Sequence, residues 1–133
     1  MIVVDSSELI AILEHEEDAP LYARAIHDAE RLQVSALNVL ETGIVLRARH
    51  GDVAVARLWR FLRDDNDFEI AAFDAAQARA AIAAYGRYGK GVDPQVRLNL
   101  ADCAAYALAR TLDWPLLFKG ADFSATDVRS YRL

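Results

Sequence analysis

Four acidic residues occupy unusual positions in the apolar pattern of this sequence. Asp5 directly follows the first apolar run of the chain, and Asp122 follows a later one near the C-terminus. Glu41 and Asp102 lie within segments that are otherwise rich in apolar residues. A carboxylate that loses its hydration costs several kcal/mol unless a cation compensates it. These four residues are therefore the candidates for chemistry.

Asp102 is the strongest of these four candidates, because it is the only charged residue between Leu100 and Ala109. That segment predicts a buried helix with apolar residues on nearly every face. No lysine or arginine lies one helical turn away from Asp102, so its counter-charge must come from elsewhere in the fold. The counter-charge is either a paired cationic side chain or a metal ion.

The chemistry of a metal site follows if the four carboxylates converge. Two carboxylates about 4 Å apart repel by about 4 kcal/mol at an effective dielectric constant of ~20, so a cluster needs a cation. Oxygen ligands without histidine or cysteine suit Mg²⁺ or Mn²⁺. Such ions activate water and stabilise charge in phosphodiester displacement. The alternative is four unrelated acids that cap helices or pair with arginines, and spacing alone leaves both interpretations open.

Composition and net charge limit the classes of protein to which this chain can belong. The 133 residues carry a net charge of −5, which argues against holding nucleic acid through bulk positive charge but does not exclude metal-mediated contact with phosphates. One cysteine excludes an internal disulfide, and the three histidines lack zinc-site spacing. No apolar run is long enough for a membrane span, and the N-terminus lacks the basic start of a signal peptide. We therefore expect a cytoplasmic protein that makes no membrane contact.

The elements that must position these acids alternate between strands and helices. Strands are predicted at Ile2–Val4, Leu32–Ser35, Phe68–Phe73 and Trp114–Phe118, with a short fifth strand at Thr126–Arg129. Helices are predicted between them, and Gly86–Arg97 is predicted to be irregular. This order predicts one α/β domain over residues 1–133 with a parallel sheet of about five strands. Sites in such sheets form beyond the carboxyl ends of the strands, where Asp5 and Asp122 would share one edge.

Four segments resemble PIN-domain ribonucleases, specifically the VapC-type toxins of type II toxin–antitoxin pairs. They are Ile2–Ser7, Ser35–Glu41, Tyr88–Gly91 with Leu98–Ala109, and Pro115–Phe123 with Thr126–Asp127. The resemblance covers essentially the whole chain. It implies a three-layer α/β/α sandwich, Mg²⁺-dependent endoribonuclease activity (with Mn²⁺ as a possible substitute), homodimerisation, and a VapB-type antitoxin that occupies the active site.

The resemblance also implies roles for individual residues. The catalytic residues and metal ligands are Asp5, Glu41, Asp102 and Asp122, and metal-activated water attacks the RNA because no histidine is placed as a base. Lower-ranked candidates for substrate contact are Ser6, Lys119, Thr126 and Asp127, and Arg87, Lys90 and Arg97 are candidates for contact with the RNA backbone. For Ser6 and Thr126 the favoured role is helix capping, and Lys119 could equally be a solvated surface lysine.

Two other classes of protein fit parts of the pattern. A receiver-like signalling domain is also a small parallel α/β fold with Mg²⁺-binding acids, but it needs adjacent acids after its first strand, where Ser6 follows Asp5. It also needs an acceptor after its third strand, where Asp74 has the features of a helix cap. A non-catalytic binding module predicts no cleavage. The amphipathic segment Asp52–Asp65, with Trp59 predicted to be buried, offers apolar surface for a partner.

Overall fold

Four short parallel strands form the central sheet of the protein. The structure is a computed structural model that describes residues 1–92, 96–131 and 133. The strands are β1 (Ile2–Val4), β2 (Leu32–Ser35), β3 (Phe68–Ala71) and β4 (Leu116–Leu117), in the order β3-β2-β1-β4. Because helices cover both faces of the sheet, β1 and β4 are continuous apolar runs without polar alternation.

Within the described residues, six α-helices connect and cover the strands. They are α1 (Ser6–Leu13), α2 (Ala19–Asp28), α3 (Ala36–His50), α4 (Asp52–Arg60), α5 (Ala75–Tyr88) and α6 (Leu100–Leu112), and a π-helical turn at Phe61–Asp65 extends α4. The predicted cap at Asp74 is confirmed, since its carboxylate accepts a hydrogen bond of 3.0 Å from the Gln77 amide. Each helix therefore begins close to a residue that the sequence marks as a cap or a turn.

Two apolar cores lie on opposite faces of the sheet. Ile2 and Val4 of β1 point into the core beneath α1–α4, and Val3 points into the core beneath α5 and α6. This alternation along one strand is the direct consequence of the two-residue period of β-structure. The three-layer α/β/α sandwich is thus confirmed.

The predicted fifth strand at Thr126–Arg129 is wrong. The C-terminal segment makes only a single parallel bridge, between Ser130 and Leu116. Upstream of that bridge, the Thr126 hydroxyl donates a hydrogen bond of 2.7 Å to the Phe123 carbonyl, which closes a local turn. A side chain that satisfies its own backbone in this way competes with strand pairing.

Two other local predictions need correction. Trp59 is 43% exposed rather than buried, and the Arg63 guanidinium lies 5.8 Å from its ring centroid. The predicted irregular segment Gly86–Arg97 begins later, because α5 continues to Tyr88, and its residues 93–95 lie outside the described part of the chain. Among the described residues, no helix is long and apolar enough to cross a membrane.

Candidate active site

Asp5 lies at the carboxyl end of β1, where it caps α1. Its Oδ2 accepts hydrogen bonds from the Ser7 amide at 3.1 Å and from the Ser7 hydroxyl at 2.6 Å. Its Oδ1 is buried and has no hydrogen-bond partner in the described part of the chain. Burial raises the pKa of Asp5 to about 6, against the lowering effect of the Ser7 hydrogen bonds, and the negative charge of Glu41 raises it further. One oxygen is therefore held by the protein, and the other lacks compensation.

Asp102 lies in the first turn of α6 and is 9% exposed. Its carboxylate accepts a hydrogen bond of 3.0 Å from the Asn99 amide, while its own amide donates at 2.9 Å to the Asn99 side chain. This reciprocal pair is a capping box, and it explains how a carboxylate is tolerated at the start of a buried helix. Burial nevertheless raises the pKa of Asp102 to about 7, aided by the charges of Asp5, Asp122 and Glu41.

The structure brings the four predicted acids into one electrostatic cluster. Glu41 lies half-buried on α3, and Asp122 lies exposed in the segment after β4. The charge of Glu41 acts on both Asp5 and Asp102, and the charge of Asp122 acts on Asp102. Each of these interactions raises a carboxyl pKa, so the cluster repels itself and favours a cation.

Two residues that hold this cluster together were missed by the sequence reasoning. The Ser7 hydroxyl, besides donating to Asp5, accepts a hydrogen bond of 3.0 Å from the Lys119 amide. The fully buried Asn38 side chain donates to the Ser6 hydroxyl at 2.7 Å and to the Ala101 carbonyl at 3.0 Å, which joins α1, α3 and α6. Both residues lie inside family-like segments, and the contact between Ser7 and Asp5 is local enough to be read from the sequence. The partners of Ser7 and Asn38 that lie far along the chain carry no such signal.

The lower-ranked polar residues are placed differently from the four acids. Ser6 is buried against Asn38, and it is Ser7 that contacts Asp5. The Lys119 ammonium lies 2.7 Å from Glu16 and 2.9 Å from Asp18 rather than against one of the four predicted acids. These two carboxylates raise the pKa of Lys119 and neutralise its charge as ion-pair partners.

Asp127 also lies outside the acidic cluster. Its carboxylate accepts a hydrogen bond from the Tyr106 hydroxyl, and its Oδ2 lies 3.7 Å from nitrogens of both Arg87 and Arg110. The hydrogen bond from Tyr106 keeps the pKa of Asp127 below its usual range. Burial raises this pKa, and the charges of Arg110 and Arg87 lower it. Asp127 therefore belongs to a separate cluster with its own cations.

The residues of the acidic cluster fit a small divalent cation. Their donors are carboxylate oxygens, the class of ligand that Mg²⁺ and Mn²⁺ prefer, and the buried Asp5 Oδ1 lacks a partner. Within the described ranges, no three acidic, histidine or cysteine side chains form a ready-made cage. Mg²⁺ does not need one, because it keeps several waters and binds through one or two carboxylates together with substrate phosphates.

Comparison with known proteins gives a consistent result. The PIN domain family model matches residues 2–129 of this chain. Ribonuclease VapC28 of Mycobacterium tuberculosis is 41% identical over 127 residues, which cover 96% of this chain and 95% of that protein.

Two solved structures share the fold. The crystal structure of Mycobacterium tuberculosis VapC20, described as a sarcin-ricin loop cleaving toxin, matches with a TM-score of 0.82 and 18% identity over 100% of both chains. A toxin–antitoxin complex from Klebsiella pneumoniae matches with a TM-score of 0.73, also at 18% identity and over 100% of both chains. These likenesses support the architecture described above.

Proposed function

Because the chain belongs to the PIN-domain family, as one of its VapC-type members, we propose that it is a cytoplasmic Mg²⁺- or Mn²⁺-dependent endoribonuclease and the toxin of a type II toxin–antitoxin pair. The observation that carries this proposal is the buried, unpartnered Asp5 Oδ1 in a group of four acids whose charges act on one another. The whole-length relationship to named ribonucleases supports RNA as the substrate.

The residues of the cluster would divide the task of holding the cation. Asp5 and Asp102 would hold it directly, Asp5 through the oxygen that Ser7 leaves unpaired. Glu41 and Asp122 complete the ligand set directly or through water. A cation bound there supplies activation of the attacking water and stabilisation of charge on the phosphodiester. The capping hydrogen bonds of Asp5 and Asp102 fix both carboxylates before substrate arrives, which lowers the cost of organising the site.

The metal requirement can be tested with RNA and a chelator. Wild-type protein is expected to cleave structured RNA with Mg²⁺ or Mn²⁺ and to lose this activity in EDTA. Asp5→Asn, which keeps an oxygen to accept the Ser7 hydrogen bonds, is expected to lose at least about 100-fold in cleavage rate. Cleavage is followed on denaturing gels with a 5′-labelled strand. Activity that survives EDTA would exclude the metal mechanism, and full activity of Asp5→Asn would exclude Asp5 as an essential ligand. A wild-type protein that cleaves no RNA with either metal would favour a non-catalytic binding module.

The receiver-like alternative loses its structural basis. Asp74, the acid after β3, caps α5 by accepting from the Gln77 amide, and β3 lies at the edge of the sheet. The carboxyl end of β3 therefore does not contribute to the acidic cluster beside β1 and β4. We therefore retain the nuclease interpretation as the proposed function.

We further propose that a VapB-type antitoxin and a second copy of this chain are the protein partners. A solved structure with this fold is a toxin–antitoxin complex, which supports the antitoxin. Exposed apolar side chains on α3 and α4 line one groove that could take an amphipathic helix, and they are Leu40, Ile44 and Trp59. A basic antitoxin side chain, with arginine the best fit, would enter the acidic cluster and replace the charge of the cation.

The association hypothesis has a direct hydrodynamic test. Light scattering at micromolar concentration is expected to show a dimer of the isolated chain and a larger complex with the protein from the neighbouring reading frame. Ile44→Asp, which places a charge in the apolar surface on α3, is expected to weaken antitoxin binding by at least about tenfold. A monomer in both samples would refute the hypothesis.

A further inference from the structure

Arg87 and Arg110 form a cationic pair on a chain whose net charge is −5. Nitrogens of the two guanidinium groups both lie 3.7 Å from the same oxygen, Oδ2 of Asp127. Each contact is an ion pair too long to be a hydrogen bond. Two positive charges thus face one negative charge, and this cluster keeps a net positive charge of one.

Aromatic side chains contact Arg87 and hold Asp127, the carboxylate that both arginines face. The Arg87 guanidinium carbon lies 4.8 Å from the ring centroid of Tyr88, which itself packs edge-on against Tyr106 with centroids 5.8 Å apart. Tyr106 in turn donates its hydroxyl hydrogen to Asp127. Both arginine side chains remain accessible, at 62% and 49% exposure. The pair is therefore open to a ligand.

Arg110 lies on the same face of α6 as Asp102 of the acidic cluster. Asp102, Tyr106 and Arg110 are spaced four residues apart, so they follow one side of the helix. The C-terminal segment runs beside them, because Asp122 acts on Asp102 while Asp127 accepts from Tyr106. Eight residues of helix separate Asp102 from Arg110, which corresponds to about 12 Å.

We propose that Arg87 and Arg110 form a phosphate-binding subsite that anchors the RNA backbone beside the cleavage site. Two arginines around one point are suited to a phosphodiester, which guanidinium groups bind through paired hydrogen bonds. A strand advances about 3.4 Å per nucleotide when stacked, so the subsite engages phosphates within about four nucleotides of the scissile bond. This subsite deepens the proposed function and rests on it for the identity of the ligand.

Asp127 acts in this subsite as a placeholder for phosphate. Without RNA, its carboxylate partly offsets the repulsion between Arg87 and Arg110 at the weak distance of 3.7 Å. Arriving phosphates replace those weak ion pairs with charge-assisted hydrogen bonds, while the Tyr106 hydroxyl continues to hold Asp127.

The test measures RNA affinity as a function of salt. A fluorescein-labelled single-stranded RNA of mixed sequence is titrated with protein in EDTA, and a gel verifies that the strand remains intact. The double variant Arg87→Gln/Arg110→Gln is expected to lower the slope of log affinity against log salt by about 1.4, since each phosphate contact on a single strand contributes about 0.7. That slope corresponds to a loss of about 25-fold in affinity at 0.1 M salt.

The matched control carries the same change in charge elsewhere. Arg24→Gln/Arg47→Gln removes two arginines that form exposed ion pairs with Asp28 and Asp52, and it is expected to leave the slope within experimental error of wild type. Arg87→Lys/Arg110→Lys keeps both charges and is expected to retain most of the slope while losing part of the affinity. Melting temperatures verify that all variants fold.

Equal affinity and slope in the double glutamine variant and its control would overturn the subsite. A double variant that binds RNA normally but loses the antitoxin or the second copy of the chain would also overturn it, because the pair would then serve a protein partner. Failure of the proposed function gives a different result from failure of the subsite. In that case the wild-type protein cleaves no RNA with Mg²⁺ or Mn²⁺, whether or not the arginine variants bind RNA more weakly.

Discussion

Asp102→Asn is expected to abolish RNA cleavage without destabilising the metal-free protein. The substitution keeps the shape of the side chain and an oxygen that can accept the capping hydrogen bond from Asn99. It removes a buried negative charge that is repelled by Asp5, Asp122 and Glu41. The melting temperature of the metal-free variant should therefore equal or exceed that of wild type, while the cleavage rate falls by at least about 100-fold.

The response to metal separates this expectation from a structural role of Asp102. A cation that binds only the folded state stabilises wild type by about 2.7 kcal/mol at a concentration of 100 times its dissociation constant. The variant should lose most of that gain. Thermal melts with EDTA and with Mg²⁺ measure both effects, and Asp113→Asn, the same change at the exposed end of α6, is the control. A large loss of metal-free stability with an intact Mg²⁺ response would show that Asp102 serves the fold alone.

Glu8→Gln is expected to stabilise the metal-free protein strongly at about pH 8 and hardly at all at about pH 5. Glu8 lies on α1 with no exposed surface, and neither carboxylate oxygen has a hydrogen-bond partner in the described part of the chain. Burial raises the pKa of Glu8 to about 8, and the negative charge of Asp18 acts in the same direction. The positive charge of Lys119 opposes this rise. The charged form is thus disfavoured in the folded state, and glutamine removes that charge.

The direction of the pH dependence follows from proton binding. A carboxyl whose pKa rises from about 4.5 in the unfolded chain to about 8 in the fold binds more protons when folded, so the free energy of unfolding decreases as pH rises through that window. Asp5 and Asp102, with folded pKa values of about 6 and about 7, act in the same direction. The metal-free wild type should therefore be more stable at about pH 5 than at about pH 8.

Thermal melts across this range measure the Glu8 effect. Glu8→Gln should flatten the pH dependence and gain a few kcal/mol at about pH 8, which corresponds to a rise of several degrees in melting temperature. Glu17→Gln, an exposed acid on the following turn, should leave the profile unchanged. A Glu8→Gln profile that runs parallel to wild type would show that Glu8 is compensated in solution.

Local patterns predicted most of the secondary structure, whereas the assignment of the four acids to one site came from the family resemblance. The apolar run Ile2–Val4 and the alternating segment Leu32–Ser35 predict β1 and β2 with their observed bounds, because a strand covered on both faces is apolar throughout and other strands alternate. The sequence also predicts the Asp74 cap, because a capping side chain accepts a hydrogen bond from an amide within three residues of itself. The spacing of Asn99 and Asp102 is that of a capping box, so the sequence also indicates a local hydrogen-bond partner for the Asp102 carboxylate.

The tertiary structure alone decided which side chains meet across the chain. Ser7 and Lys119 are 112 residues apart, and their hydrogen bond exists only because β1 and β4 are neighbours. Lys119 turns to Glu16 and Asp18, and Asp127 to Arg87 and Arg110, because those elements pack beside them. Sequence spacing determines the face of a helix or strand on which a residue lies, whereas its partner depends on how the elements pack against one another.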